Sequence, residues 1–481
     1  MTSGRGLATR VGARVSERAL GVVTGATGLL PPRVRYGYVQ PLTRALLARP
    51  LPAVHSLDTG PISEATALVT PTGDLTCVLG VGALDVGGIG SVVELLAARL
   101  PALGIVPAIV CCGDGARAQR LRNMGVQVCS VPDRTSALSA FAELCPDVIQ
   151  LHGAPSFLEA AALESGVPLV PVLHNTEIHY SRARWRGFSD LLGQSVSAVA
   201  VSDLVRSFHA RHVPESLRSR IAVIPNAAPG LSVPDPRQRR VARDLLERAV
   251  GGRFRDDVIF LCLARYDAQK NIAGTVASFL TCVATGAPAQ LVIAGDPSDR
   301  VEFGRSDAIR RGSPDAGRVH LLATSDARTL LAAADAFVLN SFFEGWPVAA
   351  TEAWTAGLPL ILSDVGGARE LVGRDPGRSV LIQNPAGNAS DVTDARVERA
   401  RWRARRQRNS SELAAAIQLV ADTVHRERIE PRAPRNTSAG VTAMIDAHAR
   451  LLRDAAKTKP SDGPTRPGRV TGDQLGGTVT R

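Results

Sequence analysis

Short apolar segments alternate with helical segments through most of the chain, in two successive series. Runs of about four to six apolar residues without polar alternation are typical of strands buried on both faces of a parallel sheet. The first series predicts strands at Cys77–Gly82, Pro107–Cys112, Val126–Val131, Asp147–Leu151, Leu169–Leu173 and Ala198–Val201. Helices such as Gly90–Leu103 and Ser156–Glu164 lie between them, and this regular alternation predicts a doubly wound α/β sheet.

The second series follows Ile221–Pro225 and predicts another parallel sheet. Its predicted strands are Val258–Leu263, Gln290–Ala294, Val319–Leu322, Ala336–Leu339, Leu360–Leu362 and Val380–Ile382. The Pro- and Arg-rich stretch from Asn226 to Arg240 is the predicted linker. We therefore expect two Rossmann-like domains, 71–228 and 229–455. Ligands of such sheets bind outside the carboxyl ends of the strands, so the default site is the cleft between the domains.

The formal net charge of +11 is concentrated at the two ends of the chain. Residues 1–70 form a basic N-terminal extension with net charge +5, residues 388–481 have net charge +7, and residues 71–387 have net charge −1. The C-terminal part contains an Arg-rich insertion, 395–408, and a tail, 456–481, that is predicted to be disordered. The neutral middle argues against a nucleic-acid partner, whereas the basic ends suit an anionic membrane surface.

Other features indicate the compartment. No apolar run reaches about 18 residues, so no transmembrane helix is predicted. The 7 cysteines lie mostly in apolar runs without CxxC spacing, which predicts reduced core thiols of a cytoplasmic protein and no metal site. For the N-terminal extension two interpretations stay open. Leu7, Val11 and Val15 have the spacing of a basic amphipathic helix on a membrane, and a solvated arm is the alternative.

Two loops at predicted strand ends carry residues that suit phosphate groups. Gly87 and Gly88 open a helix, where free backbone amides favour an anion, although a plain strand-to-helix turn has the same sequence pattern. Arg265 and Lys270 follow the first strand of the second domain, and two cations at that spacing suit a diphosphate. Lys270 is the only lysine between residues 71 and 387, which makes a chance surface charge the weaker explanation.

A third loop carries two carboxylates. Glu344 lies in a turn after a predicted strand, a helix begins near Pro347, and Glu352 lies in that helix. Free amides at the helix start would hold phosphate or sugar oxygens, and carboxylates so placed would accept hydrogen bonds from hydroxyl groups. The alternative is a pair of carboxylates that the helix dipole favours.

The Glu–seven residues–Glu spacing from Glu344 to Glu352 resembles that of the GT-B glycosyltransferases of family 4, also called glycosyl transferases group 1. These are retaining enzymes that use nucleotide-sugar donors. The resemblance covers roughly 75–385 and implies the GT-B fold, in which two Rossmann-like domains face each other across a cleft. Segments that agree with it are Arg265…Lys270, Ile293–Asp296, Gly357–Pro359, Asp364–Gly367 and Glu370, and more loosely Gly87–Gly88, Asp147…His152, His174, Ser202 and Ile224–Asn226.

The resemblance implies roles for the second-domain residues. Arg265 and Lys270 would neutralise the diphosphate and the charge that develops on the leaving group. Glu344 would bind hydroxyls of the donor sugar, and Glu352 would hold the ribose hydroxyls. The segment between the two carboxylates would lie near the sugar and phosphate and includes Gly345, Trp346, Pro347 and Val348.

In the first domain, the resemblance implies that Gly87 and Gly88 let that domain close on the diphosphate. His174, at the end of a predicted strand, is similar to a family histidine close to the reacting sugar. A lone histidine is more often structural, so both interpretations of His174 stay open.

The implied reaction moves a sugar from a nucleoside-diphosphate sugar to an acceptor hydroxyl with retention, as a hexosyltransferase-type enzyme. No cofactor or metal is expected, because Arg265 and Lys270 can supply the charge. The expected acceptor is a cell-envelope glycan or a lipid-linked one, met by a cytoplasmic enzyme in peripheral contact with the inner face of the membrane. Two alternatives stay open: a nucleotide-sugar epimerase of the same architecture and a non-catalytic sugar-nucleotide-binding protein.

Overall fold

The computed structural model describes residues 51–55, 75–84, 87–229, 231, 233–297, 299–429 and 439–458. The predicted amphipathic segment around Leu7, residues 85 and 86 of the glycine loop, and the tail beyond residue 458 lie outside these ranges. None of the helices within these ranges is long and apolar enough to cross a bilayer.

Seven parallel strands form the first sheet in the order β3-β2-β1-β4-β5-β6-β7. They are β1 Leu75–Val81, β2 Ile105–Cys111, β3 Gln127–Ser130, β4 Val148–His152, β5 Leu169–Leu173, β6 Ala198–Ala200 and β7 Ile221–Val223. Every residue of β4 and β5 is buried, because helices cover both faces of the sheet. The sequence prediction treated Ile221–Pro225 only as the segment before the second series and did not assign β7, a strand of three residues at the sheet edge.

The helices of the first domain connect these strands in turn. They are α1 Gly88–Arg99, α2 Ala116–Asn123, α3 Arg134–Leu144, α4 Ser156–Glu164, α5 Arg182–Gln194, α6 Asp203–Ala210 and α7 Glu215–Arg218. The order of the strands reverses between β1 and β4, so the carboxyl ends of those two strands open the crevice in which such sheets bind ligands.

Six parallel strands form the second sheet in the order β10-β9-β8-β11-β12-β13. They are β8 Val258–Leu263, β9 Ala289–Ala294, β10 Val319–Leu322, β11 Ala336–Leu339, β12 Leu360–Ser363 and β13 Val380–Ile382. The helices that follow β7 are α8 Pro236–Val250, α9 Ile272–Val283, α10 Arg300–Arg311, α11 Ala327–Ala333, α12 Val348–Thr355, α13 Ala368–Val372, α14 Asp394–Trp402, α15 Ser410–Ile429 and α16 Ala439–Ala456. Here the order reverses between β8 and β11. The expected pair of doubly wound domains is confirmed.

The linker is shorter than the predicted Asn226–Arg240. Helix α8 begins at Pro236, and the Asp235 side chain accepts hydrogen bonds from the backbone N–H groups of Arg237 and Gln238. The Gln238 side chain in turn accepts a hydrogen bond from the Asp235 N–H, which completes a capping box. Arg237 to Arg240 therefore belong to a helix. The proline and arginines that suggested a linker instead form the exposed first turn of a capped helix, where proline is favoured at the first position.

Both ends of the described chain cross to the opposite domain. Residues 51–55 run along the second domain, where Ala323 N donates to Pro52 O and Asp326 N donates to Val54 O, each at 2.9 Å. Helix α16 packs against β1, β4 and β5 of the first sheet. The strands of the first sheet lie between residues 75 and 223 and those of the second between 258 and 382, while α16, beyond the second sheet in the sequence, packs on the first sheet.

The Arg-rich insertion 395–408 is folded into the second domain. Arg401 is buried and forms an ion pair with Glu302 of α10. Gln407 exchanges two hydrogen bonds of 2.8 Å with the side chain of Asn271, at the start of α9. The remaining arginines of the stretch are exposed: Arg396, Arg399, Arg403, Arg405, Arg406 and Arg408.

Candidate functional site

The second sheet brings Lys270 and Glu344 together at its switch point. Lys270 follows β8 and Glu344 follows β11, which are hydrogen-bonded neighbours in the sheet. Lys270 Nζ lies 2.6 Å from Glu344 Oε1, and the two side chains are 18% and 6% exposed. The carboxylate also accepts hydrogen bonds from Ser341 Oγ at 2.7 Å and from Gln269 Nε2 at 3.2 Å. The loops predicted to bind a diphosphate and a sugar therefore form one polar network.

Buried contacts fix the loop that carries Lys270. The Tyr266 hydroxyl lies 2.9 Å from the carbonyl oxygens of Ile293 and Leu322, so it ties the loop to the ends of β9 and β10. Asp267 Oδ1 accepts from the Lys270 N–H at 3.0 Å. Asn271 ends the loop in the left-handed region with φ 51°, a conformation that asparagine adopts more readily than most residues. The loop thus presents Lys270 from a rigid turn.

Arg265 does not join this network. Its guanidinium forms an ion pair with Asp267 at 3.0 Å, and 58% of the side chain is exposed. Burial raises the pKa of Asp267, while Arg265 and Lys270 favour its charged form. Asp267 therefore contacts the Arg265 guanidinium through Oδ2 and the Lys270 backbone N–H through Oδ1, and of the two cations only Lys270 has an enclosed side chain.

The segment Gly345–Val348 lies against the first domain. A Cβ added to Gly345 would overlap the carbonyl group of His174, so a glycine is required for this approach of the two domains. Trp346 is buried, and its Nε1 donates to Thr351 Oγ1 at 2.8 Å. Pro347, expected at the first helical position, is instead the N-cap of α12, which begins one residue later at Val348. The backbone amides of this helix start lie at the interdomain cleft.

The glycine loop of the first domain faces the same helix. Gly88 is the first residue of α1, and a Cβ added there would lie 3.2 Å from Val348 Cγ2. Gly87 has φ 157°, with no atom within 4 Å of an added Cβ. The N-terminus of α1 and the N-terminus of α12 therefore face each other, and both can direct backbone N–H groups at an anion.

Glu352 lies in α12, where its carbonyl oxygen accepts from Thr355 Oγ1 at 2.8 Å, and its carboxylate forms no hydrogen bond or ion pair with any residue in the described ranges. Burial raises the pKa of its carboxyl group, and Arg117 and Arg328 partly oppose this effect. Arg117 belongs to α2 of the first domain, where its Nη2 donates to Ser91 Oγ of α1 at 3.0 Å. The sequence prediction missed Arg117, because a single arginine in an Arg-rich chain has no distinguishing spacing.

His174 follows β5 and is half-buried at the cleft. Its Nε2 lies 2.9 Å from Nδ1 of His152, the last residue of β4. Burial lowers the pKa of His174 to about 3, and His448 adds to the effect. His174 is therefore a neutral imidazole at neutral pH. Its ring can donate or accept a hydrogen bond but supplies no positive charge to the cleft.

The structure thus brings most of the predicted site residues to one cleft. Lys270, Glu344, the α12 start and the glycine loop line it, with His174 on the first-domain side. Within the described ranges, no group of three or more His, Cys, Asp or Glu side chains could hold a metal ion. The groups present suit an anion flanked by hydroxyl groups: a cation, two carboxylates and two helix N-termini.

Comparisons with known proteins agree with this architecture. Residues 86–229 match the family model described as Glycosyltransferase Family 4, and residues 245–395 match the one described as Glycosyl transferases group 1. TuaC of Bacillus subtilis, a glycosyltransferase named for teichuronic acid biosynthesis, is 25% identical over 239 residues. That match covers 48% of this chain and 57% of TuaC, so the chain spans little more than half the length of this relative.

Solved structures with the same fold cover most of the chain. HepE of Anabaena, in complex with UDP, superposes with a TM-score of 0.58 at 16% identity over 79% of this chain and 100% of HepE. A glycosyltransferase of Rickettsia africae superposes with a TM-score of 0.58 at 13% identity over 80% of this chain and 100% of that protein. At these sequence identities the similarity shows the fold alone.

Proposed function

Because the chain belongs to the family 4-like glycosyltransferases of the GT-B fold, we propose that it transfers a sugar with retention from a nucleoside-diphosphate sugar to an acceptor hydroxyl. The observation that carries the proposal is the 2.6 Å contact between Lys270 and Glu344 at the switch point of the second sheet. A phosphate-binding cation and a sugar-binding carboxylate there are adjacent, as the two halves of a nucleotide sugar require. HepE has been solved in complex with UDP-glucose, a nucleotide sugar, and this supports the proposed donor class.

Lys270 can serve both groups at once. An ammonium group has three donors, and only one of them is used by Glu344 Oε1. The others are available to a diphosphate oxygen, so the donor can bind without breaking the ion pair. Glu344 Oε2 would then accept from a sugar hydroxyl, and Glu352 would accept from the ribose. Arg265, which is exposed beside Asp267, would turn to the diphosphate when the donor enters.

The proposed step is a front-face displacement. The bond between the anomeric carbon and the diphosphate oxygen breaks, and the acceptor oxygen bonds to the same face of that carbon. The acceptor proton passes to the departing phosphate oxygen. Lys270 and the facing helix starts stabilise the charge on the leaving group, which is the main electrostatic demand of such a transition state. Neutral His174 would orient a hydroxyl near the reacting carbon.

No divalent cation is needed in this proposal, because fixed cations and amides already oppose the diphosphate charge. The name of TuaC supports a cell-envelope glycan as the acceptor class. We expect the transferred sugar to be a hexose. We expect the reaction on the cytoplasmic side of the membrane, where nucleotide sugars and a lipid-linked acceptor can meet.

The test is a donor screen with UDP- and GDP-sugars, read out as nucleotide release with and without cell-envelope glycolipids. We expect release that depends on both one donor and an acceptor and that persists in EDTA. Interconversion of the donor without an acceptor would instead identify an epimerase. Donor binding without turnover in any pairing would identify a sugar-nucleotide-binding protein.

The exposed arginines of 395–408 support a further part of the proposal, contact with an anionic membrane. Trp402 of the same stretch is 50% exposed, with the Arg305 guanidinium 5.3 Å from its ring centroid, and tryptophan favours the interface between lipid and water. Deleting the stretch would remove buried Arg401 and Gln407, so point variants are the better probe. We expect W402A and a triple Arg399→Gln, Arg403→Gln, Arg406→Gln variant to lose binding to vesicles that contain phosphatidylglycerol. Unchanged co-sedimentation would contradict this contact.

A further inference from the structure

A buried hydrogen-bonded chain runs from the cleft to the last helix. It starts at His174 Nε2, which lies 2.9 Å from His152 Nδ1. His152 Nε2 lies 3.1 Å from Gln150 Oε1, and Gln150 Nε2 lies 3.1 Å from His448 Nδ1. Gln150 and His152 are in β4, and His448 is in α16, nearly 300 residues further along the chain. The hydrogen-bonded chain therefore joins the site to α16, a helix from the C-terminal part of the polypeptide.

These polar groups lie in a sheet core that is otherwise apolar. Gln150 and His152 are fully buried, and His448 is 1% exposed. A buried amide or imidazole is costly unless it is hydrogen-bonded, so each of these side chains depends on its neighbours. Leucine or valine would fill these positions at lower cost. Polar side chains at all of them therefore indicate a function beyond packing.

The orientation of the Gln150 amide sets the position of one proton on each ring of this hydrogen-bonded chain. In the orientation that the structure gives to Gln150, its amide N–H donates to His448 Nδ1 and its oxygen accepts from His152 Nε2–H. His152 is neutral, because burial holds its pKa well below the ordinary value. His152 Nδ1 must then be an acceptor, and His174 Nε2–H donates to it. The remaining nitrogen of His174, Nδ1, has no proton and can only accept.

We propose that Gln150, His152 and His448 are positioning residues that hold His174 as the Nε2–H tautomer, with Nδ1 ready to accept a hydrogen bond from a substrate hydroxyl. The inference rests on the proposed function for the kinetic role of His174, while the tautomer itself does not depend on it. Helix α16 thereby contributes to a site that it does not touch, because its docking on the first sheet completes the chain.

The kinetic test compares variants in the full-length protein. H448L and Q150M remove hydrogen-bonding groups while keeping bulk, and H448N keeps an acceptor near the position of Nδ1. We expect H448L and Q150M to lower kcat about tenfold with the donor KM within about twofold, because misorientation of a reacting group acts on the transition state. H448N should recover most of that loss.

H209L is the matched control. His209 is also buried in the first domain, but its Nδ1 contacts only the Val205 carbonyl oxygen within α6. We expect H209L to keep the wild-type kcat per folded molecule. If H448L and Q150M changed kcat no more than H209L does, the positioning role would be overturned.

A second measurement remains available if a variant folds poorly or if no donor is found. Nitrogen-15 NMR of the histidine-labelled wild-type protein, assigned with H174N, reports which ring nitrogen of His174 carries the proton. We expect the proton on Nε2 in the unliganded protein. Protonation of His174 at Nδ1 would overturn the inference whatever the enzyme activity. A wild-type protein that bound no nucleotide, with His174 protonated at Nε2, would overturn the proposed function alone.

Discussion

The two walls of the cleft hold their polar groups in different ways. On the second-domain wall, Lys270 and Glu344 carry charges and are fixed by short loops after neighbouring strands. On the first-domain wall, His174 is uncharged and is held by a hydrogen-bonded chain that ends on α16. A charged wall suits the diphosphate of a donor, and a neutral wall suits hydroxyl groups. The difference predicts that Lys270 and Glu344 bind the donor while His174 orients a hydroxyl group, with the α1 N-terminus of the first domain adding backbone N–H groups to the anion site.

Lys270→Met should break the charged wall and have the largest effect. We expect kcat/KM for the donor to fall about 10³-fold, because the variant removes a charge that opposes the leaving diphosphate. It also leaves Glu344 buried without its cation, which costs on the order of 3 kcal/mol of folding stability. Nucleotide release and urea unfolding measure the two effects. Lys457→Met, at a 75% exposed side chain directly after α16, is the matched control and should change neither.

Gly345→Ala should separate the two walls. The added Cβ would overlap the His174 carbonyl group, so the domains must move apart and the facing helix starts lose their alignment. We expect kcat to fall about 10²-fold, a loss typical of small misplacements in an active site. Gly304→Ala in α10 is the control, because an added Cβ there meets nothing within 4 Å. A fully active Gly345→Ala enzyme would show that this domain contact is not needed in turnover.

Glu352→Gln should sharpen the role of the Glu352 carboxylate. We expect the donor KM to rise about tenfold, since a charged acceptor of hydroxyl hydrogen bonds becomes a neutral one. The raised pKa of Glu352 also predicts a pH effect. As the pH falls, Glu352 should take up its proton before ordinary carboxyl groups do. The donor KM of the wild type should therefore rise at a pH where those groups are still ionised. Steady-state kinetics should find no such rise in the variant, and a pH profile identical to wild type would exclude Glu352 from donor binding.

The neutral wall should make folding stability sensitive to acid. Burial lowers the pKa of His448 to about 4, against an ordinary value of 6.5. Because the folded-state pKa lies below the unfolded one, this stability is complete above pH 6.5 and is lost as the pH falls toward 4. The full loss for His448 is on the order of 3 kcal/mol. Urea unfolding at pH 7 and pH 5 should give a smaller pH dependence for H448N, and equal dependence in both proteins would contradict the assignment.

The charged wall was predictable from the sequence because its signals are local. Val258–Leu263 and Ala336–Leu339 were predicted with the observed bounds, since each is a continuous apolar run. Lys270 and Glu344 follow these runs directly, and strands that are neighbours in a sheet bring their carboxyl ends together. The sequence paired Lys270 with Arg265 as two cations on one diphosphate. That Lys270 instead forms an ion pair with Glu344 is visible only in the structure.

The neutral wall was not predictable in the same way. His152 was only a loose match, and Gln150 and His448 have no spacing that connects them, because α16 reaches β4 through tertiary packing alone. Arg117 reaches the neighbourhood of Glu352 across the cleft for the same reason. The position of His174 at a strand end was predictable, whereas the partners that set its protonation were not.

Calorimetric titration of the protein with UDP and with GDP tests the central claim most directly, namely that Lys270 holds a nucleoside diphosphate at the switch point of the second sheet. We predict that the wild type binds at least one of the two nucleotides and that Lys270→Met weakens this binding about 100-fold, in keeping with the loss of a charge-assisted contact. Binding of equal strength in the variant, or no binding of either nucleotide by the wild type, would contradict the account.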